Sequence, residues 1–234
     1  MPAIAAAQRQ AIAEYREALR QELAALHTRI APPTGNRISL RGRVFTMPDG
    51  STNPGPIAGV ILDFRNYNAY WDAPYNPQQL TDPVCFALSR EFDALAPHPE
   101  SPKPQAERCA ACPKNVFGSA SNGKAKLCKN SRRLAIVPPD ATLETAPMLL
   151  DASPTAISAF EGYLLGLAAD GKMPVEVVTH IAFKPDTDYA TLVFGKPKPL
   201  TDKQLAVMVG LRAKAQPMLD LQGLGTRAEG DVPW

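Results

Sequence analysis

The sequence predicts a mixed α+β, mainly β fold: a small β-barrel carrying an N-terminal helix, a cysteine-bearing insertion and a flexible C-terminal tail. Three observations predict it. Short strand-like runs recur at 37–46, 57–67, 132–137, 175–184 and 189–194. Helical spacing is confined to the start of the chain and to two later segments. The 24 prolines among 234 residues gather between these runs and make long irregular links. At 45% hydrophobic residues the chain can bury one substantial core. The expected boundaries are 1–31 for the helix, 36–217 for the core with 81–131 inserted in it, and 218–234 for the tail.

In residues 2–30, Ile12, Tyr15, Leu19, Leu23, Leu26 and Ile30 recur at steps of three and four, and Pro32-Pro33 ends the helix. This stripe suits packing on its own domain or pairing with a partner helix, which leaves a homo-oligomer open. Along 37–46, Ile38, Leu40 and Val44 face one way, while Arg37, Arg41, Arg43 and Phe45 face the other. In 57–67, Ala58, Val60, Leu62 and Phe64 are expected inward, with Asp63, Arg65 and Tyr67 outward. Asn66 to Trp71, with Tyr75, reads as an aromatic, Asn-rich loop. Ser153 and Pro154 open a helix that runs to Gly171. A hairpin turns at 185–188, and Thr201-Asp-Lys-Gln204 is a capping box for a last helix ending before Pro217. Five or so strands with helices interposed suit an OB-type barrel.

Charge is unevenly placed. The formal net charge is +2, yet 103–133 holds Lys103, Arg108, Lys114, Lys124, Lys126, Lys129, Arg132 and Arg133 against Glu107 alone. The tail holds Asp220, Glu229 and Asp231 against Arg227. A basic middle points to an anionic ligand. No apolar run reaches the ~18 residues of a membrane span, and no charged-then-apolar leader is seen, which predicts a cytoplasmic protein.

The four cysteines are Cys85, Cys109, Cys112 and Cys128. Without an export signal they favour metal over disulfides. A CxxC turn places two sulfurs on one ion, and Cys128 follows Cys112 after fifteen residues. Four thiolates with no open position make a structural zinc site. Cys85 lies 24 positions before Cys109, with a Pro-rich excursion between. His98 is the rival fourth ligand. An iron–sulfur cluster or no metal stays open, and Cys85 also fits as a small buried apolar residue.

The sequence holds no P-loop, Rossmann glycine pattern or nucleophile elbow. Asp186 and Asp188 suit turn chemistry better than acid–base work. No enzyme is expected. Cations interleaved with aromatics suit single-stranded nucleic acid, whose phosphates meet Lys and Arg and whose bases stack on rings. The candidates are Arg41, Arg43, Phe45, Arg65, Tyr67, Tyr70 and Trp71, joined from the insertion by Lys114, Phe117, Lys124, Lys126, Lys129, Arg132 and Arg133. Each alone is also explained as a solvated charge or a core aromatic. At the end of the chain, Asp231, Pro233 and Trp234 suit insertion into a partner's pocket; Trp234 packing on its own fold is the alternative.

This ending resembles the acidic, Pro-aromatic tip of bacterial single-stranded DNA-binding proteins. The middle resembles tailed-phage proteins with a Cys…CxxCPxNxxGS…GKxKxCK…RR signature. It is carried here by Cys85, Cys109, Cys112, Pro113, Asn115, Gly118, Ser119, Gly123, Lys124, Lys126, Cys128, Arg132 and Arg133. The family is that of zinc-bearing OB-fold single-stranded DNA-binding proteins. The resemblance covers roughly 83–137 and the last six residues. It implies a non-enzymatic protein that coats single-stranded DNA in replication or recombination, in the cytoplasm of a bacterial host if phage-encoded. It also implies recruitment of replication or recombination proteins through the tail. The tail departs from the bacterial pattern in having fewer acids and Trp in place of Phe. Two other expectations are a zinc-ribbon accessory factor for duplex DNA or a polymerase, and a zinc-stapled assembly protein.

Overall fold

The computed structural model describes Ile12, Tyr15, Arg16 and residues 36–73 and 81–221. The chain divides into two units, Met1–Gly35 and Asn36–Trp234. In the first, Ile12, Tyr15 and Arg16 are helical, with Ile12 and Tyr15 exposed. The rest of the expected N-terminal helix, Tyr75, and the tail with Asp231, Pro233 and Trp234 lie outside the described residues.

The second unit is built on β3 (Ile57–Tyr70), the longest strand. Along one edge it pairs antiparallel with β5 (Lys129–Val137). Its other edge is shared: the start pairs with β7 (Val177–Phe183) and the end with β4 (Cys85–Ser89). β6 (Met148–Ala152) pairs with β5, and β8 (Leu192–Pro199) pairs with β7. The six strands run in the order β6-β5-β3-β7-β8, with β4 beside β3. A short β1–β2 hairpin (Phe45–Thr46, Thr52–Asn53) stands apart from them.

The expected closed barrel is not formed. The sheet is open, with β6 and β8 at opposite ends of the strand order. The physical reason is that it has two cores, one on each face. On one face Ile57, Ile61, Leu134, Ile136, Leu150 and Ile181 pack with Phe160 of α1 (Ile157–Ala169). On the other, Val60, Leu62, Ala135, Val137 and Leu149 pack with Met208, Leu211, Ala215 and Leu219 of α2 (Asp202–Leu221). A barrel keeps one side of each strand for a single core. Strands buried on both faces instead read as continuous apolar runs, as in Val60-Ile-Leu62 and Leu134-Ala-Ile-Val137.

A register shift between Ile61 and Asp63 interrupts the alternation of β3. Before it, Val60 and Leu62 face α2. After it, Phe64 turns toward α1, while Arg65 reaches Gln216 and Asp220 on α2. The expected face shared by Phe64 and Leu62 is therefore split.

Residues 37–46 are not one strand. Arg41–Arg43 form a 3-10 turn in which Gly42 and Arg43 take φ of 64° and 59°. Residues 66–70, expected as loop, belong to β3, and β4 and β6 lie where the sequence predicts no strand. The helix α2 continues through Pro217. Leu219 is fully buried and Asp220 pairs with Arg65, so tertiary contacts outweigh the lost amide. Ser153 makes no helix-capping bond and meets Thr155 instead. The Thr201/Gln204 capping box forms as expected. Beyond the bulge opposite Val178–His180, β8 runs out as an exposed Lys-Pro-Lys-Pro segment, which discourages pairing with another chain. No helix of the described residues is long and apolar enough to cross a membrane.

The close contact between β3 and β5 has a direct consequence at Gly59. A Cβ there would meet Ile136 Cγ2 at 2.8 Å and the Val137 carbonyl at 3.3 Å. Gly59→Ala is expected to cost about 1–3 kcal/mol by overpacking, read as a lower urea midpoint at unchanged m-value. An unchanged midpoint would show that the sheet relaxes there freely.

Candidate metal centre and nucleic-acid interface

The four cysteines come from three places in the chain. Cys85 opens β4, Cys109 opens a 3-10 turn, Cys112 links that turn to a second at Pro113–Asn115, and Cys128 immediately precedes β5. The Pro-rich excursion brings the chain back along β4. His98 N–H donates to the Phe86 carbonyl at 2.7 Å and Lys103 N–H to the Val84 carbonyl at 2.7 Å. The Ser101 hydroxyl bonds both the N–H and the carbonyl of Phe86. Cys109 N–H then donates to the Leu95 carbonyl at 3.0 Å. A separation of 24 residues is thus closed by a strand-like return.

All four thiols are free, buried and line one small cavity of about 10 Å³, the room of a single water or ion. Asn68, Tyr70 and Asn115 also line it. No group of three or more His, Cys, Asp or Glu side chains among the described residues is already gathered to hold a metal ion. The donor set nonetheless fits zinc in kind: four soft sulfurs and no competing carboxylate in the lining. The Gln105 N–H near Cys85 and the Asn68 amide near Cys109 favour the thiolate forms. Burial pushes the thiols of Cys85 and Cys109 up. Cys128 is pushed up to about 12, first by burial and then by the neighbouring Cys109, Cys112 and Cys85. Such a group ionises fully only against a cation.

His98 is placed elsewhere. Its ring stacks on Phe86 at 4.9 Å, and its Nδ1 accepts the Glu100 N–H. It does not line the cavity.

An asparagine network ties the cysteine turns to the sheet, and sequence reasoning gave it no role. Asn130 donates to Asn68 at 2.6 Å and to Asn115 at 3.0 Å. Asn115 donates to the Cys109 carbonyl, and the Lys126 ammonium donates to Asn115 and Asn130. The pairing of Asn68 with Asn130 follows from the β3–β5 register. Only that register reveals it.

The structure divides the expected DNA contacts into two sets. Phe45 is fully buried and stacks on Phe183 at 4.4 Å. Arg65 is buried against Asp220, Gln216 and Asp63. Arg133 is buried, donates from two nitrogens to Asp151, and lies 4.0 Å from the centre of the buried Tyr67 ring. Arg132 is buried and pairs with Glu161 at 2.6 Å. These five side chains hold the fold together and present no face to a ligand, because their charges and rings are enclosed by partners. Arg43 donates to the Lys184 carbonyl and to Thr187. Trp71 Nε1 donates to the Thr81 carbonyl, and Tyr70 faces the cysteine cavity with Lys114 5.5 Å from its ring centre.

The second set is on the knuckle between Cys112 and Cys128. Phe117 is 77% exposed, and Lys126 Nζ lies 4.9 Å from its ring centre. Lys124 is exposed, while Lys114 and Lys129 are half-buried. Gly118 and Gly123, both at positive φ, turn the loop that carries Phe117 and Lys124. Arg41 is exposed on the turn before β1. Sequence reasoning missed Phe92, an exposed ring 5.9 Å from the Arg132 guanidinium; it lay within a stretch read only as insertion.

Comparison with family models, curated proteins and solved structures gives no match to this chain.

Proposed function

We propose that this protein binds single-stranded DNA, with zinc held by Cys85, Cys109, Cys112 and Cys128 shaping the knuckle that makes the contact. The observation carrying this reading is Phe117. A largely exposed aromatic ring with an ammonium 4.9 Å from its centre, on a loop bearing Lys124, offers a stacking surface beside positive charge. The anchoring of that loop by the asparagine network and the cysteine turns limits the ordering cost of binding. The resemblance of the cysteine segment to phage zinc-bearing single-stranded DNA-binding proteins supports the same reading. In this reading the protein acts on replication or recombination intermediates, and its tail recruits other proteins.

The contact surface in this reading is one part of the one expected from sequence, which joined a strand face to the insertion. It is the knuckle, with Lys114, Phe117, Lys124, Lys126 and Lys129, rather than the strand face of Arg65 and Tyr67.

Fluorescence anisotropy of labelled oligo-dT against a hairpin duplex, at two salt concentrations, tests the proposal. Tight, salt-sensitive and single-strand-selective binding is the expected result. Phe117→Ala should weaken it by about 1–3 kcal/mol, or roughly 5- to 150-fold. Lys124→Ala should reduce the slope of log K against log salt by about 0.7 if it meets one phosphate. Preference for duplex would favour the accessory-factor reading. Absence of affinity at low salt would favour an assembly role.

A further inference from the structure

A second cationic cluster lies away from the knuckle, where the end of α2 crosses β3. Three arginines meet two aspartates there. Arg65 is matched by Asp220, through Nε to Oδ1 at 2.6 Å and a second nitrogen to Oδ2 at 3.2 Å. Asp63 is left for the others. Its Oδ2 takes the Gln216 amide at 2.7 Å, with Arg65 at 3.4 Å, Arg90 at 3.5 Å and Arg212 at 3.8 Å. Arg90 also donates to the Gln216 side-chain oxygen.

The contacts to Asp63 from Arg90 and Arg212 are at ion-pair distance and lie at or beyond the limit of a hydrogen bond. With Asp220 given to Arg65, one carboxylate serves two guanidinium groups, so the cluster keeps an excess positive charge. The Arg212 Nε is enclosed and has no hydrogen-bond partner. A buried guanidinium N–H without an acceptor is costly, and native proteins rarely leave one so. Both arginines nevertheless reach solvent, with side chains 56% exposed for Arg90 and 37% for Arg212. The cluster thus carries one unmatched positive charge, and the solvent-facing ends of both guanidinium groups are open to an anion.

We infer that Arg90 and Arg212 form an oxyanion site that takes a phosphate group. A tetrahedral oxyanion suits the planar forks of two arginines, which bind phosphate through paired N–H donors. It would accept from the exposed N–H groups of both arginines and balance the charge that Asp63 leaves unmatched. A carboxylate ligand supplies only two oxygens in one plane, whereas two guanidinium groups on different elements, the β4 end and α2, call for more. The inference rests on the proposed single-strand binding in one respect: there the phosphate is that of the nucleic-acid backbone, and the site is a second anchor beside the knuckle. Free phosphate is the other source of the same chemistry.

The experiment uses the full chain, with Arg212→Gln and, as a second variant at the more exposed position, Arg90→Gln. Two probes are read: the thermal midpoint in rising inorganic phosphate at constant ionic strength, and oligo-dT affinity across salt concentrations. In the parent, phosphate is expected to raise the midpoint beyond the effect of chloride, as a ligand selective for the folded state does. Either variant should abolish that rise. Each should also weaken oligo-dT binding several-fold and lower its salt slope by about 0.7 for one lost phosphate contact. Phosphate stabilisation without any oligo-dT affinity would keep the oxyanion site, assign it to free phosphate, and sink the single-strand reading. Oligo-dT binding that falls with Phe117→Ala but is unmoved by Arg90→Gln and Arg212→Gln, with no phosphate effect in the parent, would overturn this inference and leave the proposed function standing.

Discussion

Cys109→Ser is expected to strip zinc from the purified protein and unfold the segment between β4 and β5, while the two cores around the sheet survive. Cys109 is where two supports meet: its N–H donates to the Leu95 carbonyl, and its carbonyl accepts from Asn115. Without zinc, the four buried thiols have a small apolar cluster around them, Tyr70, Val84 and Leu127 near Cys85 and Cys128, and Ala87 and Leu95 near Cys109, with Phe86, Pro97 and Ala106 also in the cavity lining. That is too little apolar surface to order some forty residues against their conformational entropy. Structural zinc contributes about 10–16 kcal/mol of apparent binding energy in zinc-finger peptides, so its loss decides whether such a segment folds. Metal analysis should fall from one zinc per chain to background, and hydrogen exchange should lose protection at Cys112, Asn115, Gly118 and Cys128 while Leu134 and Ile136 stay protected. Oligo-dT affinity should fall at least as far as in Phe117→Ala. Cys85→Ser should repeat the result, and His98→Ala should leave zinc in place. A parent protein free of metal, with the same amides protected, would show that the cavity is held by packing alone.

Asp151→Asn is expected to be the most damaging single change in the sheet. Asp151 is only 18% exposed, accepts two bonds from the buried Arg133, and meets Arg37 at 2.6 Å. Removing its charge takes from the enclosed Arg133 the carboxylate it pairs with, while the Tyr67 ring stays beside it. Breaking a buried pair by deleting one partner costs about 3–5 kcal/mol, and the residual exposure of Asp151 argues for the lower end. Burial alone would raise the Asp151 carboxyl, but Arg133 and Arg37 outweigh it and hold it well below the ordinary carboxylate range. Its contribution to stability is therefore complete above the unfolded value, about pH 4, and is lost as pH falls through the lower folded value. Asp63 acts in the same direction. Burial opposes its ionisation, while Gln216, the Phe64 N–H, Arg65 and Arg212 favour it. Urea unfolding from pH 7 down to pH 2 should show the parent losing stability below about pH 4 and the variant, already weaker at pH 7, losing less. Equal stabilities at neutral pH, or parallel acid slopes, would count against this account.

The two clusters show how residue type misleads when partners are hidden. Arg65 and Tyr67 alternate along a strand and read as a ligand face. The register of β3 against β5 and the path of α2 place Asp220, Asp151 and Arg133 over them. Arg90 and Arg212 drew no notice in the sequence, since one sits at a strand end and the other inside a helix 122 positions later. Their shared carboxylate exists only after folding. Phe117 differs because its loop is local: two glycines, an Asx turn at Asn122 and a CxxC nearby are visible within fifteen residues.

The sequence by itself determined the local features: the helix from 157 to 169, the capping box at Thr201, the β7–β8 hairpin and the gathering of cysteines and lysines in one segment. Each depends on periodicity, turn chemistry or spacing within a few residues. Only the tertiary structure decided that the sheet is open and buried on both faces, that Pro217 does not end α2, and that Cys85 rather than His98 faces Cys109, Cys112 and Cys128. Those outcomes depend on which distant segments pack together. A single chain encodes that through the sum of many small burial energies, and no short motif carries it.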